Sequence, residues 1–254
     1  MAGSKNPKED DKAERDVPSS GEFASFYKTD NGRLLGGEIE QCLEEALSGK
    51  KFARRYLLCI GYPVPDCLPL FRKAKSFSVF TPFAHGPQKL VEKGLNRSLS
   101  GDEARLPFMD SSFDVAVVLH AVEYMEDPVS FFEALWKSLS PGGRLILMIP
   151  NRAGGWKKSG IPRARDEQGF DFKAACDFLF QKGFECVRCW GVFHGFKFAK
   201  GKRPILEGVM RSVSKKGPGL MPGFLILEAE KIIGSKGRSA EEPARLAPTK
   251  PVPT

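Results

Sequence analysis

With 254 residues and a formal charge of +8, the chain is long enough for one large, basic domain. Its 41% hydrophobic and 28% charged residues are typical of a globular protein, and no apolar run approaches the roughly 20 residues that a transmembrane helix needs. Residues 1–22 carry mixed charges and no apolar segment, so we expect a disordered tail, no secretory signal and a cytoplasmic location.

The first half of the chain alternates between helical and strand patterns. Apolar residues at helical spacing predict a helix over 37–47, and Pro69 restricts the helix after residue 65 to a short one. Gly94 is a suitable end for a helix over 87–94. The predicted strands of this half are RYLLCIG (55–61) and SFSVF (76–80).

The second half continues the alternation. FDVAVVLHAV (113–122) is almost wholly apolar, which is typical of a parallel strand covered on both faces. Asp127 and Pro128 predict the start of a helix over 127–139, and SPGG predicts a tight turn into the next strand. The remaining predictions are strands 144–150 and 184–193, a helix over 171–183, and a strand over 222–232 near the sheet's edge.

Alternating strands and helices joined by short turns predict an α/β fold with a parallel sheet. We expect one domain over 23–233, including a basic C-terminal elaboration (195–233), and a disordered Pro-rich tail (234–254). The six cysteines suggest reduced thiols. Cys186 and Cys189 form C-x-x-C, but in an ordinary strand they would point to opposite faces, so we predict no metal site.

Positive charge is concentrated in the second half of the chain. Residues 197–238 hold ten Lys/Arg against three Asp/Glu, and 152–165 hold five basic residues and no acidic one. Such asymmetry predicts either an anionic partner, RNA or a membrane surface, or a solvated basic face. If a partner binds, we expect Trp156, Lys157 and Lys158 to meet it.

Residues 101–151 carry several spaced motifs. They are an acidic pair before Leu-Pro-Phe, Asp-x-Ser-Phe-Asp entering a strand, Asp-Pro opening a helix, and Pro-Gly-Gly before the next strand. In this register the segment resembles class I S-adenosylmethionine (SAM) dependent methyltransferases, nearest to methyltransferase type 11. The resemblance implies a Rossmann-like, doubly wound, mostly parallel seven-stranded sheet with helices on both faces, and SAM as cofactor.

A looser resemblance covers most of 23–232. FYKTDNGR (26–33), GYPVP (61–65), VFTPFAHG (79–86), PNR (150–152) and MPGFLILEAEK (221–231) are similar to a subgroup of alphaproteobacterial methyltransferase-domain proteins. In that subgroup the first loop also begins Gly-Tyr in place of the glycine triplet of the wider family.

The resemblance implies that the first loop contacts the methionine part of SAM. Gly61 keeps one glycine position, whereas Pro63 and Pro65 hold the other two and remove two N–H donors. Cys59 replaces an acidic residue. Tyr62 could stack on the cofactor or pack against the sheet.

Three further residues are implied as cofactor contacts. Thr81 lies where the family places its acid for the ribose, and it could supply one hydroxyl. Asp102 and Glu103 lie where the family reads adenine, or they form a solvated acidic turn.

His120 and Glu123 follow the apolar strand 113–122. Ligands of open parallel sheets bind outside the carboxyl ends of the strands, so either residue could serve as the base for methyl transfer. The alternative is a buried histidine held by one hydrogen bond. His85 and His194, beside glycines, are expected in loops.

Two functions follow from these features. The favoured one is an enzyme that transfers a methyl group from SAM to an unidentified acceptor. The alternative is a catalytically silent binding module that kept the fold and lost or weakened SAM binding, which the substitutions at Cys59, Pro63 and Pro65 favour.

Overall fold

The computed structural model describes residues 17–49, 51–162, 169–193 and 221–233. The predicted tail 234–254 and residues 1–16 lie outside this part of the chain. The helices are α1 (Ser20–Phe26), α2 (Asp30–Ala46), α3 (Leu68–Phe71), α4 (Pro128–Ser138) and α5 (Phe172–Gln181). The strands are β1 (Tyr56–Gly61), β2 (Ser76–Pro82), β3 (Val91–Glu92), β4 (Leu95–Asn96), β5 (Ser98–Gly101), β6 (Phe113–Leu119), β7 (Leu139–Pro150), β8 (Phe184–Val192) and β9 (Phe224–Lys231).

Seven strands form one sheet in the order β5-β2-β1-β6-β7-β9-β8. Neighbours from β5 to β7 pair in parallel, whereas β9 runs antiparallel to both β7 and β8. The predicted mostly parallel, seven-stranded α/β sheet is therefore confirmed. The strand 222–232 was expected near the edge, and β9 lies next to the edge strand β8, between β8 and β7. Part of the predicted elaboration 195–233 is therefore integral to the sheet.

Alternate residues of the central strands enter two separate cores. On one face Leu57 and Val117 pack with α1, α2 and α3, and on the other Leu58 and Val118 pack with α4 and α5. Because both faces are covered, these strands carry almost only apolar residues. The prediction of helices on both faces is thus confirmed.

The disordered tail predicted over residues 1–22 is too long at its C-terminal end, because α1 starts at Ser20. Ser19 and Glu22 form a capping box that starts α1, in which each side chain binds the other residue's backbone N–H. Phe23, the next residue, is fully buried in the core. The ordered domain therefore begins before residue 23.

The predicted helix 87–94 is also wrong. Val91 pairs with Asn96 and Glu92 with Leu95, which leaves Lys93 and Gly94 as a two-residue turn with φ of 49° and 77°. Positive φ at both turn residues is what a tight hairpin requires. Gly94 therefore serves a hairpin and not a helix end.

Two irregularities in the strands were not expected. The segment SPGG stays within β7 as an irregularity, with Leu139 opposite Phe113 and Arg144 opposite Val115. A second shift, in β8, falls between Cys186 and Arg188. An extra residue reverses the alternation of side chains, so Cys186 and Cys189 both pack on the α4–α5 face, and the prediction of opposite faces is wrong. No group able to hold a metal occurs among the described residues.

Candidate functional site

The sheet reverses its strand order between β1 and β6, and the site lies at the carboxyl ends of these two strands. Gly61 pairs with Leu119 as the last pair of the two strands. Tyr62 N–H then donates to Leu119 O at 2.9 Å. Ligands of doubly wound sheets bind in the crevice at such a reversal, so Tyr62 and His120 border the expected crevice.

Gly61 is required by the sheet itself. Its φ is +90°, and a Cβ at this position would lie 2.1 Å from Leu119 O and 2.9 Å from Ala121 Cβ. The close approach of β1 and β6 therefore accounts for this glycine without a ligand. Whether Gly61 also contacts a cofactor stays a prediction.

His120 is fully buried and joins two other polar side chains. Tyr27 Oη lies 2.6 Å from His120 Nε2, and Glu123 Oε1 lies 3.6 Å from His120 Nδ1. Burial, first of several causes, raises the pKa of the Tyr27 phenol well above its ordinary value. The phenol therefore keeps its proton; where it donates to Nε2, the hydrogen of a neutral imidazole lies on Nδ1, facing Glu123. The backbone of His120 has φ of +49°, a left-handed conformation that is uncommon outside glycine.

Aromatic rings fill the space around this group. Phe23 stacks on Tyr62 at 5.2 Å between centroids and on His120 at 4.9 Å, with interplanar angles of 27° and 28°. Tyr27 stacks on the Tyr62 ring at 5.6 Å and 9°. Tyr62 thus packs in a buried ring cluster, and its role as a cofactor contact stays a prediction.

His85 belongs to the same cluster, although a loop position apart from the site was expected. It is 2% exposed, and Nδ1 lies 2.8 Å from Pro18 O, the residue before the capping box. Its ring contacts Tyr124 edge to face at 5.1 Å and Phe23 at 5.8 Å. The other histidine expected in a loop, His194, lies outside the described residues.

Several buried polar atoms of the site make no hydrogen bond to the described part of the chain. They are His120 Nδ1, Glu123 Oε2 and Thr81 Oγ1. Thr81 is fully buried at the end of β2, next to the strand that carries Gly61. Because buried polar groups are almost always satisfied, such atoms indicate a place for water or a polar ligand.

Asp102 and Glu103 lie at the same edge of the sheet, beyond the end of β5. Asp102 is exposed, and its Oδ1 accepts a hydrogen bond from Ala104 N at 2.9 Å. Glu103 is half-buried, and burial raises the pKa of its carboxyl. Among the hydrogen bonds and ring contacts described, none joins either carboxylate to His120, so the structure brings together only part of the predicted site.

An open cavity of about 700 Å³ lies on the outer side of α1. Its walls include Ser19, Glu22 and Phe26 from the helix region and Ser159 from the loop after β7. None of the predicted cofactor or catalytic residues lines it.

Comparisons with known proteins identify the fold. Residues 83–147 match the methyltransferase domain family. A probable S-adenosylmethionine-dependent methyltransferase of Mycolicibacterium smegmatis is 30% identical over 101 residues, which are 39% of each chain. A bifunctional biotin biosynthesis protein, BioHC, of Teredinibacter turnerae is 35% identical over 63 residues, 24% of this chain and 11% of the relative. The chain thus spans well under half the length of either relative.

Solved structures extend the likeness beyond residues 83–147. A SAM-dependent methyltransferase of Thermotoga maritima, a possible histamine N-methyltransferase, superposes with a TM-score of 0.58 at 19% identity, over 83% of this chain and 95% of that one. A SAM-dependent methyltransferase of Aquifex aeolicus gives 0.54 at 14% identity, over 84% and 99%. The fold is that of SAM-dependent methyltransferases.

The residues that match the methyltransferase family and those that do not lie on different sides of the crevice. Residues 83–147 include Asp102, Glu103, His120 and Glu123, whereas the first loop and the rings of α1 lie outside that match. The recognisable sequence therefore carries the end of β6, and the departures lie on the opposite side of the crevice.

The residues present fit SAM in part. Thr81 offers a buried hydroxyl without a partner, and Asp102 an exposed carboxylate. The first loop offers little, because Tyr62 N–H already binds Leu119 O and Pro63 and Pro65 have no N–H. Phe23 stacks on both Tyr62 and His120, the residues that border the crevice, so the cofactor fits there only if α1 moves away from the sheet.

Sequence reasoning missed the rings that build the cluster, namely Phe23, Tyr27, His85 and Tyr124. One sequence pattern could have indicated part of the cluster. Ser19-x-x-Glu22 is the pattern of a capping box, which predicts the start of a helix that carries Phe23.

The basic loop after β7 does not present its tryptophan. Trp156 is 1% exposed and contacts Phe224, so its ring packs inside the protein in this structure. Lys157 is exposed, whereas most of 197–238 lies outside the described residues. An RNA or membrane partner stays a prediction. Within the described ranges, no helix combines the length and apolarity needed to cross a bilayer.

His85 makes the stability of the site depend on pH. Burial lowers the pKa of its imidazole from the ordinary 6.5, so the unfolded chain binds the proton more readily. The contribution of His85 is therefore present above the unfolded pKa and is lost as pH falls below it. We expect the free energy of unfolding of wild type to approach that of His85→Asn between pH 7.5 and 5, as measured by urea titration. If the difference in free energy of unfolding between wild type and His85→Asn stayed constant with pH, the lowered pKa of His85 would be contradicted.

Proposed function

We propose that this chain binds SAM and transfers its methyl group to an acceptor at the crevice between β1 and β6. The observation that carries the proposal is the buried pair His120 and Glu123, which retains two polar atoms without hydrogen-bond partners at the reversal of the sheet. The methyltransferase fold and the match over 83–147 support it. The resemblance to the alphaproteobacterial subgroup is in keeping with a first loop that lacks the glycine triplet.

In this proposal each residue has a limited task. Thr81 and Asp102 hold the adenosyl part of SAM, and Gly61 and Tyr62 border its methionine part. SAM supplies a methyl group on a sulfonium, which is already activated for transfer. The protein's remaining work is alignment and removal of a proton from the acceptor.

His120 receives that proton, and Glu123 stabilises the imidazolium that forms. The carboxylate lies 3.6 Å from Nδ1, and both side chains are 2% exposed or less. In such a buried place the attraction between the two charges is much less screened than in water. Because the Tyr27 hydroxyl is hydrogen-bonded to Nε2, it must either move away from Nε2 or relay the acceptor's proton to it.

A silent binding module is the second candidate. The ring of Phe23 in the crevice and the two prolines of the first loop favour it. Under this alternative the rings are a permanent core, and the protein uses another surface.

Titration with S-adenosylhomocysteine separates the two candidates. At a concentration one hundred times its dissociation constant, the ligand should stabilise the fold by about 2.7 kcal/mol, which raises the melting temperature by roughly 5–10 °C. Asp102→Asn should weaken binding about tenfold or more, since it removes a charge-assisted hydrogen bond and keeps a capping side chain. Asp110→Asn, also on the surface, is the matched control. No thermal response at millimolar ligand would leave the silent module as the better account.

A further inference from the structure

The edge of the sheet opposite the crevice is basic. Because β5, β2, β1 and β6 are parallel, their amino ends meet at this edge, whereas the crevice lies at their carboxyl ends. Basic side chains lie just before or beside these amino ends, together with Tyr56, the first residue of β1. We call this surface the amino-edge patch, and its members are Lys51, Arg54, Tyr56, Lys75 and Arg97. All of them lie outside the basic segments 152–165 and 197–238.

Contacts between separate chain segments hold the amino-edge patch together. Lys75 N–H donates to Arg55 O at 2.9 Å, which joins the segment before β2 to the segment before β1. Tyr56 pairs with Ser76 in the sheet, and Arg97 Nη1 donates to Ser76 Oγ at 3.3 Å. Lys75 Nζ lies 4.4 Å from the centroid of the Tyr56 ring. The cations and the ring therefore form one continuous surface.

The four cations of the patch form no ion pair with the described part of the chain. Their basic neighbours, by contrast, are neutralised by carboxylates: Arg55 by Asp114, Arg72 by Glu92 and Lys73 by Glu44. Lys51, Arg54 and Lys75 are exposed, so their charges face solvent. Charge of one sign that is concentrated and uncompensated attracts an anionic partner.

Tyr56 indicates which kind of anion fits the patch. Its side chain is 40% exposed although it is aromatic, and it lies beside the ammonium group of Lys75. Surfaces that bind single-stranded nucleic acids combine cations for the phosphates with aromatic rings on which bases stack. Binding to a membrane surface depends on several apolar side chains that insert among the lipids, and the patch contributes Tyr56 alone. The combination therefore favours a nucleic-acid strand over a membrane.

We propose that the amino-edge patch binds a single-stranded nucleic acid. Its four cations contact phosphates, and one base stacks on the ring of Tyr56. The six residues of β1 place this surface about 20 Å from the crevice. The inference therefore adds a second binding surface to the protein and does not depend on the proposed methyl transfer.

The salt dependence of binding tests the role of the cations. Fluorescently labelled oligouridylate and oligothymidylate are titrated with the full chain, and the tighter of the two probes tells RNA from DNA. The logarithm of the association constant falls by about 0.7 per phosphate contact for each tenfold rise in salt. Arg54→Gln/Lys75→Gln should therefore reduce this slope by about 1.4. Lys28→Gln/Arg152→Gln is the matched control, because it removes one exposed lysine and one exposed arginine outside the patch, and its slope should equal that of wild type.

Substitutions of Tyr56 test the stacking of a base. Tyr56→Leu keeps an apolar side chain but removes the flat ring, so the affinity for the oligonucleotides should fall about tenfold. Tyr56→Phe keeps the ring and should bind as tightly as wild type. Because Arg54, Tyr56 and Lys75 are exposed, these variants should fold like wild type, which thermal melts check.

Three results would overturn the proposal. They are the absence of salt-dependent binding, a control variant that reduces the slope as much as Arg54→Gln/Lys75→Gln, and an unchanged affinity of Tyr56→Leu. Vesicles that contain phosphatidylserine are tested in parallel. If wild type binds them through the patch while neither oligonucleotide binds, the partner is a membrane surface and the assignment to a nucleic acid is wrong.

Discussion

Gly61→Ala is expected to lower the free energy of unfolding by about 4 kcal/mol, among the largest single-residue effects. The added Cβ would lie 2.1 Å from Leu119 O, a backbone atom of a buried strand that cannot turn away. The residue's φ of +90° would also be unfavourable for alanine. The loss should be measured as a decrease in the urea midpoint, with SAM and its analogues absent.

Gly37→Ala is the matched control for this prediction. Gly37 lies on the exposed side of α2, where a Cβ meets nothing within 4 Å. The same substitution there should stabilise the protein by about 0.5–1 kcal/mol, because alanine favours a helix over glycine. If both variants unfolded within about 1 kcal/mol of wild type, the close pairing of β1 and β6 at Gly61 would be wrong.

The sheet could be predicted because its signals are local. Runs such as Val115 to Leu119 are too apolar for a strand with one wet face, and Asp127 with Pro128 marks a helix start that the structure reproduces. These patterns depend on a few neighbouring residues, so a sequence reveals them. The number of strands and their doubly wound arrangement came instead from the resemblance of residues 101–151 to a known family.

The wrong predictions, those for the two cysteines of β8 and for a helix over 87–94, arise from contacts between strands and not from local patterns. A single extra residue in β8 brings Cys186 and Cys189 to one face, and no property of those side chains signals it. At Lys93 and Gly94, the choice between a helix end and a hairpin turn depends on pairing that the sequence does not display. Register is a property of two strands together and cannot be read from one.

In the candidate site, too, contacts between residues close in sequence could be predicted and long-range contacts could not. His120 and Glu123 are three residues apart, so their proximity follows from the sequence. Phe23 and Tyr27 reach His120 across more than ninety positions, by a fold-level contact. The sequence therefore predicted the end of β6 but not the rings that cover it.

Glu123→Gln is expected to lower the rate of methyl transfer about 100-fold, at the low end of what general acid–base catalysis contributes. Glutamine keeps the shape of the side chain but cannot stabilise a charge on His120, 3.6 Å away. The initial rate of tritium transfer from methyl-labelled SAM to a metabolite extract measures this without an identified acceptor. Binding of S-adenosylhomocysteine should be unchanged, because the substitution removes no contact expected for the adenosyl part.

Glu123→Gln should also raise the free energy of unfolding, and this result would distinguish a functional role of Glu123 from a structural one. Glu123 Oε2 is buried without a hydrogen-bond partner among the described residues, and leaving a carboxyl oxygen buried in this way opposes folding. Replacement by a neutral amide should therefore stabilise the protein by about 1 kcal/mol while activity falls, as is typical of residues retained for function. Glu185→Gln, at an exposed position of the edge strand β8, should change neither quantity. A variant at Glu123 that lost stability and kept its rate would mean that the carboxylate serves the fold, and the base would have to be sought elsewhere.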